Sequence, residues 1–196
     1  MTQKNLLKRK LNSISKSKCA MTAYFRTEKS SSGKNHRKLL TLDYKKLTHV
    51  MRGLALRSGK AIMDIYKADH LSFETKADNS PVTLADKAAD QIIFSGLKLA
   101  FPDLPVVTEE QASSHVQQHK TFLIVDPLDG TKEFIKKTAE FTVNIALIDN
   151  QVPVIGVILA PVLGDLYFSQ VGIGSFKISI DLENFDMSKD LLREDK

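Results

Sequence analysis

Apolar residues recur every three to four positions along two stretches of the chain, which is the period of an amphipathic helix. The first stretch runs from Asp43 to about Tyr66, and Asp43 stands at its start as a candidate N-cap. The second follows Thr83, which lies three residues before Asp86 in a pattern that resembles a capping box, and we expect Pro102 to end it. The sequence therefore predicts two helices, separated by a polar segment with an Asn-Ser-Pro turn signal.

After the second helix the pattern changes to short runs rich in β-branched residues, which favour strands. An Asp-Asn pair at 149–150 predicts a hairpin turn, and Asp126-Pro127 is expected to stop the strand before it. Two helices followed by hairpin-linked strands predict an α+β fold, with a helix pair packed on an antiparallel sheet. The predicted strands are 105–108, 121–125, 141–148, 154–159, 166–169 and 175–180.

The composition is that of a soluble globular chain long enough to bury a core. Hydrophobic residues make up 42% and charged residues 26% of 196 residues, which excludes a wholly disordered chain, a collagen and a coiled coil. A single cysteine, Cys19, excludes an internal disulfide. The longest apolar run, Val152–Gly164, is too short to span a bilayer, so we expect no transmembrane segment.

Positive charge is concentrated at the N-terminus. Residues 1–38 hold eleven Lys and Arg against one acid, Glu28, whereas the whole chain carries +5, so the remainder is acidic. We expect residues 1–40 to be a basic, disordered extension, with a transit peptide and a weak contact of this arm with an anionic surface or nucleic acid as alternatives. Since the body is acidic, we expect no nucleic-acid partner. We expect a cytoplasmic protein, with peripheral membrane contact left open and organelle targeting less favoured.

The most informative stretch is the Asp-Pro-Leu-Asp-Gly-Thr run at 126–131, where a hydrophobic strand meets two acids. The carboxylates of Asp126 and Asp129 would repel each other there, unless one is protonated or a cation lies between them. Mg²⁺ suits such oxygen ligands. Gly130 allows a sharp turn, after which backbone N–H groups could face an anion. A simple turn without metal is the alternative.

Three further features gain meaning only together with that run. Glu109-Glu110 follows a short strand, Asp86 opens the second helix, and Lys76 and Lys132 are candidate phosphate partners. Taken singly, each has an ordinary explanation: a solvated acidic loop, a helix cap, and two surface lysines. The sequence lacks a Walker loop, a zinc-protease helix motif, a GxSxG elbow and a CxxC pair.

In combination these motifs resemble the 3′(2′),5′-bisphosphate nucleotidase branch of the inositol monophosphatase superfamily. The chain has the DPxDGT signature at 126–131, the Glu-Glu pair at 109–110 and PVTxAD at 81–86. The string DPLDGTKEFI at 126–135, followed by EFTVNIALI at 140–148, is similar to the nucleotidase branch. The resemblance runs from about Leu47 to about Lys177 and implies the N-terminal half of a layered αβ sandwich.

The resemblance also implies roles for individual residues. Glu109, Asp126, the backbone carbonyl of Leu128 and Asp129 would bind Mg²⁺. Asp86 and Thr131 would be catalytic, because together they would orient and deprotonate the attacking water. The expected substrate-binding residues are Glu109, Gly130, Thr131 and Lys132.

The implied reaction is Mg²⁺-dependent hydrolysis of the 3′-phosphate of adenosine 3′,5′-bisphosphate, or of its sulfated relative, within sulfur assimilation. The expected partner is thus a nucleoside bisphosphate substrate, while the oligomeric state is left open. Two alternatives remain: an inositol monophosphate or sugar phosphatase, and a metal-binding remnant without catalysis. The Lys-Glu-Phe triplet at 132–134 argues against the first, because the inositol branch usually has Thr-Asn-Phe there.

The C-terminal region departs from the family pattern. Members continue with a second αβ half that carries a Trp-Asp motif, whereas this chain has no Trp. We expect a phosphatase N-terminal domain at 43–180 and a divergent or truncated tail at 181–196. We also expect weakened metal binding, an exposed apolar face and impaired activity of the isolated chain.

Overall fold

The computed structural model describes residues 42–67, 73–75, 81–111 and 119–184, and these begin with a long helix. Helix α1 spans Tyr44–Tyr66. The carboxylate of Asp43 accepts a hydrogen bond of 2.9 Å from the backbone N–H of Lys46, which occupies one of the unpaired amides of the first turn. The predicted helix and its cap are therefore confirmed.

Helix α2 spans Leu84–Ala100 and begins with a complete capping box. The Thr83 hydroxyl accepts hydrogen bonds from the amides of Ala85 and Asp86, while the Asp86 carboxylate accepts one from the Thr83 amide. Reciprocal pairing of this kind fixes the first turn of a helix. The helix ends before Pro102, as the sequence predicts.

The polar segment between the helices contains a small hairpin that the sequence pattern did not reveal. Strand β1, Phe73–Thr75, pairs antiparallel with β2, Pro81–Thr83. Each strand has only three residues, which is too short for an alternation of apolar and polar residues to be recognised. The hairpin leads directly into the cap of α2.

The remaining strands form one six-stranded sheet in the order β3-β4-β5-β6-β7-β8. The pairs from β4 to β8 are antiparallel, as predicted. The predicted hairpin turn lies one residue later than expected, because Asp149 still pairs with Val152 as the last residue of its strand. Asn150 and Gln151 form the two-residue turn between β5 and β6, and both adopt positive φ, which fits the twist of a tight hairpin. The strands span Val106–Thr108, Thr121–Asp129, Thr142–Asp149, Val152–Ala160, Asp165–Gln170 and Gly174–Ser179.

Two expectations about the sheet are wrong. First, β3 pairs parallel with β4, so the sheet is mixed rather than antiparallel. Parallel strands cannot be joined by a tight hairpin turn, and twelve residues separate Thr108 from Thr121 in the sequence. Second, β4 does not stop at Asp126-Pro127 but continues to Asp129. A register irregularity between Asp126 and Asp129 accommodates the proline, because a bulge interrupts the ladder of hydrogen bonds.

One face of the sheet forms the core with the two long helices. Helix α1 packs on β5, β6 and β7, and α2 packs on β3 and β4. Close approach of the two helices to each other depends on a glycine: a Cβ on Gly96 of α2 would lie 2.2 Å from Cδ2 of Leu54 in α1. None of the described helices has the length and hydropathy needed to cross a membrane. The buried sheet residues include Leu123, Val125, Val143, Ile145, Leu147, Ile155, Val157 and Leu159.

Some sequence expectations fall on residues outside the described ranges. These are the basic extension at 1–40, the phosphate candidate Lys76 and the end of the tail from residue 185. The division of the chain into an extension, a domain at 43–180 and a tail at 181–196 stays a prediction.

The contact between Gly96 and Leu54 predicts that Gly96→Ala destabilises the wild-type chain but stabilises a chain in which Leu54 has been truncated. In the wild-type chain we expect Gly96→Ala to lower the free energy of unfolding by about 1 kcal/mol, because the new methyl group overpacks the helix interface. Leu54→Ala alone should cost about 2–5 kcal/mol through the cavity that it leaves. In that background Gly96→Ala should become stabilising, since the methyl group refills space and favours the helix.

Urea unfolding of the two single variants and the double variant measures this coupling. Leu99→Ala is the matched control for Leu54→Ala, because Leu99 lies in α2 with 88% of its surface exposed. This control substitution should change the free energy of unfolding by less than about 0.5 kcal/mol. Simple additivity of the two substitutions would contradict the proposed contact.

Candidate functional site

The bulge in β4 determines where its two acids point. Asp126 lies opposite Asn144 of β5, and Asp129 lies opposite Thr142. Three residue steps on β4 therefore match two steps on β5, so one residue is extra. In a regular strand, residues three apart point to opposite faces of the sheet, whereas residues two apart point to the same face. Asn144 and Thr142 are two apart on β5 and share a face, and so do the β4 residues opposite them. The bulge thus brings both acids of the motif to the same face of the sheet.

Asp126 lies beside the carboxylates of two other predicted site residues. Burial, together with the charges of Glu109 and Asp129 and a hydrogen bond shared with Glu109, raises the pKa of Asp126 from 3.8 to about 7. Its Oδ1 atom is buried and has no hydrogen-bond partner among the described residues. Glu109 reaches this position because its amide donates to the carbonyl of Val125 in β4, 3.1 Å away.

Asn144 belongs to this site although sequence reasoning did not single it out. Its Nδ2 donates to Oδ2 of Asp129 over 3.3 Å, while its Oδ1 is buried without a partner in the described part of the chain. A signal was available, since Asn144 is a polar residue within the apolar run FTVNIALI. A buried amide in such a strand needs a partner and therefore points to a polar neighbour.

A second group of hydrogen bonds joins α2 to the end of the motif. The Thr131 hydroxyl lies 3.0 Å from Oδ1 of Asp86 and 3.2 Å from the carbonyl oxygen of Leu128. The other oxygen of Asp86 accepts from the hydroxyl and the amide of Thr83, at 2.6 and 2.7 Å. Asp86 is only 1% exposed, so its carboxylate is fixed by three donors within the fold. The two predicted catalytic residues are therefore in direct contact.

The turn after the motif is stabilised by Gly130 and Phe134. Gly130 has φ of +99°, and a Cβ there would lie 2.7 Å from the carbonyl oxygen of Glu140. Helix α3, Thr131–Ile135, starts at the next residue. Phe134 is fully buried, and its ring centroid lies 5.2 Å from that of Tyr66 in α1. The side chain of Lys132, a predicted substrate contact, is exposed on this short helix.

The oxygen atoms at this end of β4 suit a hard divalent cation, but they do not form a closed cage. Among the residues with described positions, no three His, Cys, Asp or Glu side chains are grouped tightly enough to hold a metal ion. Asp126 pairs with Glu109 instead, and Asp129 contacts Asn144. The donors are all oxygen, and the buried Oδ1 of Asp126 still lacks a partner, which fits Mg²⁺ in chemistry. The predicted metal ligands stay predictions.

Gly130 offers a test of the turn geometry. We expect Gly130→Ala to destabilise the chain by about 3 kcal/mol or more, because it adds left-handed strain and an overlap with backbone. Gly172→Ala is the matched control: Gly172 also has positive φ, +79°, but nothing lies within 4 Å of its Cβ position. It should cost only about 1 kcal/mol. Urea unfolding of both variants measures the difference. If Gly130→Ala and Gly172→Ala lowered the urea midpoint equally, the contact with Glu140 would not constrain the turn.

The raised pKa of Asp126 predicts a pH dependence of stability without metal. Between the ordinary pKa of 3.8 and about 7, the folded chain holds a proton that the unfolded chain has released. The free energy of unfolding should therefore fall as pH rises through this window. Asp126→Asn removes the proton and the charge, so the variant should gain stability relative to wild type as pH rises from 5 to 8.

Urea unfolding in EDTA at four pH values tests this dependence. Asp103→Asn, at an exposed acid in the turn after α2, is the control and should follow the wild-type curve. Parallel curves for wild type and Asp126→Asn would mean that the carboxyl group is not buried against Glu109.

Comparison with known proteins identifies the family to which the sequence is similar. The profile of the Inositol monophosphatase family matches residues 43–194. The 3′(2′),5′-bisphosphate nucleotidase CysQ of Escherichia coli O157:H7 is 51% identical over 122 residues, which cover 61% of this chain and 50% of that protein. CysQ of Haemophilus influenzae is 36% identical over 146 residues, covering 73% and 54%. This chain thus spans about half the length of the curated relatives that it matches.

Solved structures confirm the predicted α+β fold. The crystal structure of CysQ from Bacteroides thetaiotaomicron superimposes with a TM-score of 0.61 and 43% identity, covering 72% of this chain and 52% of that one. The extragenic suppressor protein SuhB from Bartonella henselae gives a TM-score of 0.60 at 31% identity, covering 67% and 52%. With the family profile matching most of the sequence, the chain belongs to the inositol monophosphatase family.

Proposed function

We propose that this chain takes part in metal-dependent hydrolysis of a phosphate monoester. The preferred substrate is the 3′-phosphate of adenosine 3′,5′-bisphosphate or of its sulfated relative, with inorganic phosphate as one product. The relatives are named 3′(2′),5′-bisphosphate nucleotidase CysQ, and this chain is 51% identical to that of Escherichia coli O157:H7 over the matched segment. The observation that carries the proposal is the 3.0 Å contact between Thr131 and Asp86, beside the acids of β4.

Glu109, Asp126, Asp129 and the carbonyl of Leu128 would hold a divalent cation, with Mg²⁺ as the expected ion. Once bound, such a cation supplies Lewis-acid activation of water and neutralises charge on the phosphate. These residues then serve to bind and orient the cation, since each presents only oxygen atoms. Asn144 orients Asp129 through its amide.

Proton removal from the attacking water is the task of Thr131 and Asp86. A threonine hydroxyl alone is far too weak a base. Because the Thr131 hydroxyl donates its proton toward Oδ1 of Asp86, its oxygen can accept a proton from water while its own proton passes to the carboxylate. The opposite oxygen of Asp86 is held by Thr83, so the carboxylate cannot rotate away from Thr131.

The phosphate would lie against the turn that follows β4. Gly130 and Thr131 would present backbone amides to it, with Lys132 and Glu109 as neighbouring substrate contacts. Gly130 allows this approach because it has no side chain and its φ is positive. The Lys-Glu-Phe triplet at 132–134 favours the nucleotide over inositol monophosphate as substrate.

Two substitutions of one residue test the proton relay. Thr131→Val keeps the shape but removes the hydroxyl, and we expect phosphate release from adenosine 3′,5′-bisphosphate with Mg²⁺ to fall at least about 100-fold. Thr131→Ser keeps the hydroxyl and should retain activity within about ten-fold. The assay measures released phosphate for the whole chain, with inositol monophosphate as the competing substrate.

Asp126→Asn serves as the background in the same assay. Wild-type release no greater than this background would overturn hydrolysis and leave only cation binding. Faster release from inositol monophosphate would move the substrate assignment to the inositol branch. Equal rates for the valine and serine variants would exclude Thr131 from the proton transfer.

A further inference from the structure

A second buried acid of α2 plays no part in the reaction proposed above. Asp90 lies one helical turn after Asp86 on the buried face of α2 and is only 6% exposed. Its Oδ2 accepts a hydrogen bond of 2.8 Å from Nε2 of Gln111. Its Oδ1 is buried and has no partner within the described ranges. Burial of a carboxylate is unfavourable without compensating hydrogen bonds, so the contact with Gln111 matters.

Gln111 belongs to the turn that carries Glu109. This turn follows β3, where the Glu109 amide donates to Val125 over 3.1 Å and the Gln111 amide lies 3.4 Å from the carbonyl of Thr108. Those two bonds tie only the backbone of the turn to the sheet. The Gln111 side chain adds a hydrogen bond to Asp90 in α2, so the sheet and α2 both hold the turn.

A displacement of the turn would break that tie and leave the Asp90 carboxylate buried without its amide donor. Loss of a donor to a buried charged group is more costly than loss of an ordinary surface hydrogen bond. The Glu109 backbone is therefore fixed at the position from which its side chain contacts Asp126. Partners that orient metal ligands in this way affect metal affinity without touching the metal.

We propose that Asp90 and Gln111 are positioning residues, which hold the Glu109 turn against α2 and so set the affinity of the site for a divalent cation. This inference rests on the proposed function, because it assumes that Glu109 is a metal ligand. It assigns the pair no contact with substrate or cation. A purely structural pair would alter stability but would leave the affinity of the folded chain unchanged.

A charge exchange between the two positions tests the inference. Gln111→Glu places a second carboxylate against Asp90, which should push the turn away and weaken Mn²⁺ binding by about ten-fold or more. The added negative charge alone would strengthen cation binding, so weaker binding cannot come from charge. Adding Asp90→Asn restores an amide–carboxylate pair in the reverse direction, and the double variant should bind within about three-fold of wild type.

Mn²⁺ binding to the whole chain is measured by electron paramagnetic resonance, with circular dichroism as the check on folding. Gln91→Glu is the matched control: it makes the same chemical change on an exposed part of α2, where Gln91 contacts only Ser95 among the bonds described for it. It should not weaken binding. Should Gln111→Glu fail to fold, Gln111→Ala replaces it, with the same expected loss.

The outcomes separate this inference from the proposed function. Unchanged or tighter Mn²⁺ binding by Gln111→Glu, or a double variant as weak as the single one, overturns the positioning role while the metal site stands. A change confined to the unfolding midpoint has the same meaning. Absence of Mn²⁺ binding in the wild-type chain overturns both the metal site and the positioning role.

Discussion

The β-bulge at the end of β4 is the constraint on which the rest of the site depends. Without the extra residue, Asp126 and Asp129 would point to opposite faces of the sheet. With it they share a face, where Glu109 adds a third carboxylate. Burial raises the pKa of Asp126, and repulsion by the other two carboxylates raises it further. A cation would remove that repulsion. The arrangement of acids that lowers the stability of the metal-free fold therefore suits metal binding.

The sheet separates this repulsion from the core. Leu123 and Val125 of β4 face the helices and are buried, while Asp126 continues the alternation on the other face. On that second face Ile124 is 44% exposed, so packing there is looser. The apolar layers beneath α1 and α2 stabilise the strand that carries the acids. The acids of β4 therefore lie on the face opposite the helices, whereas Asp86 reaches the end of that strand from α2 through Thr131.

Much of the fold follows from local sequence signals. Asp43 and the Thr83–Asp86 box are caps whose mechanism lies within four residues, and the hairpin between β5 and β6 depends on two turn residues, Asn150 and Gln151. The parallel pairing of β3 and the bulge at Pro127 depend instead on which strand lies alongside, and no local pattern encodes that. In the site, the motifs predicted Asp86 and Thr131. Asn144 and Asp90 were missed because their partners are distant in sequence, at Asp129 and Gln111.

Helix α2 explains how the separate parts of the site keep their relative positions. Asp86 and Asp90 are four residues apart, about 6 Å along the helix axis, and both lie on its buried face. Asp86 holds the turn after β4 through Thr131, and Asp90 holds the turn after β3 through Gln111. The turn after β4 carries Thr131 of the proton relay, and the turn after β3 carries Glu109. One rigid turn of helix therefore sets the spacing between the group that would accept a proton and the group that would bind a cation. The acids of β4 stand next to both.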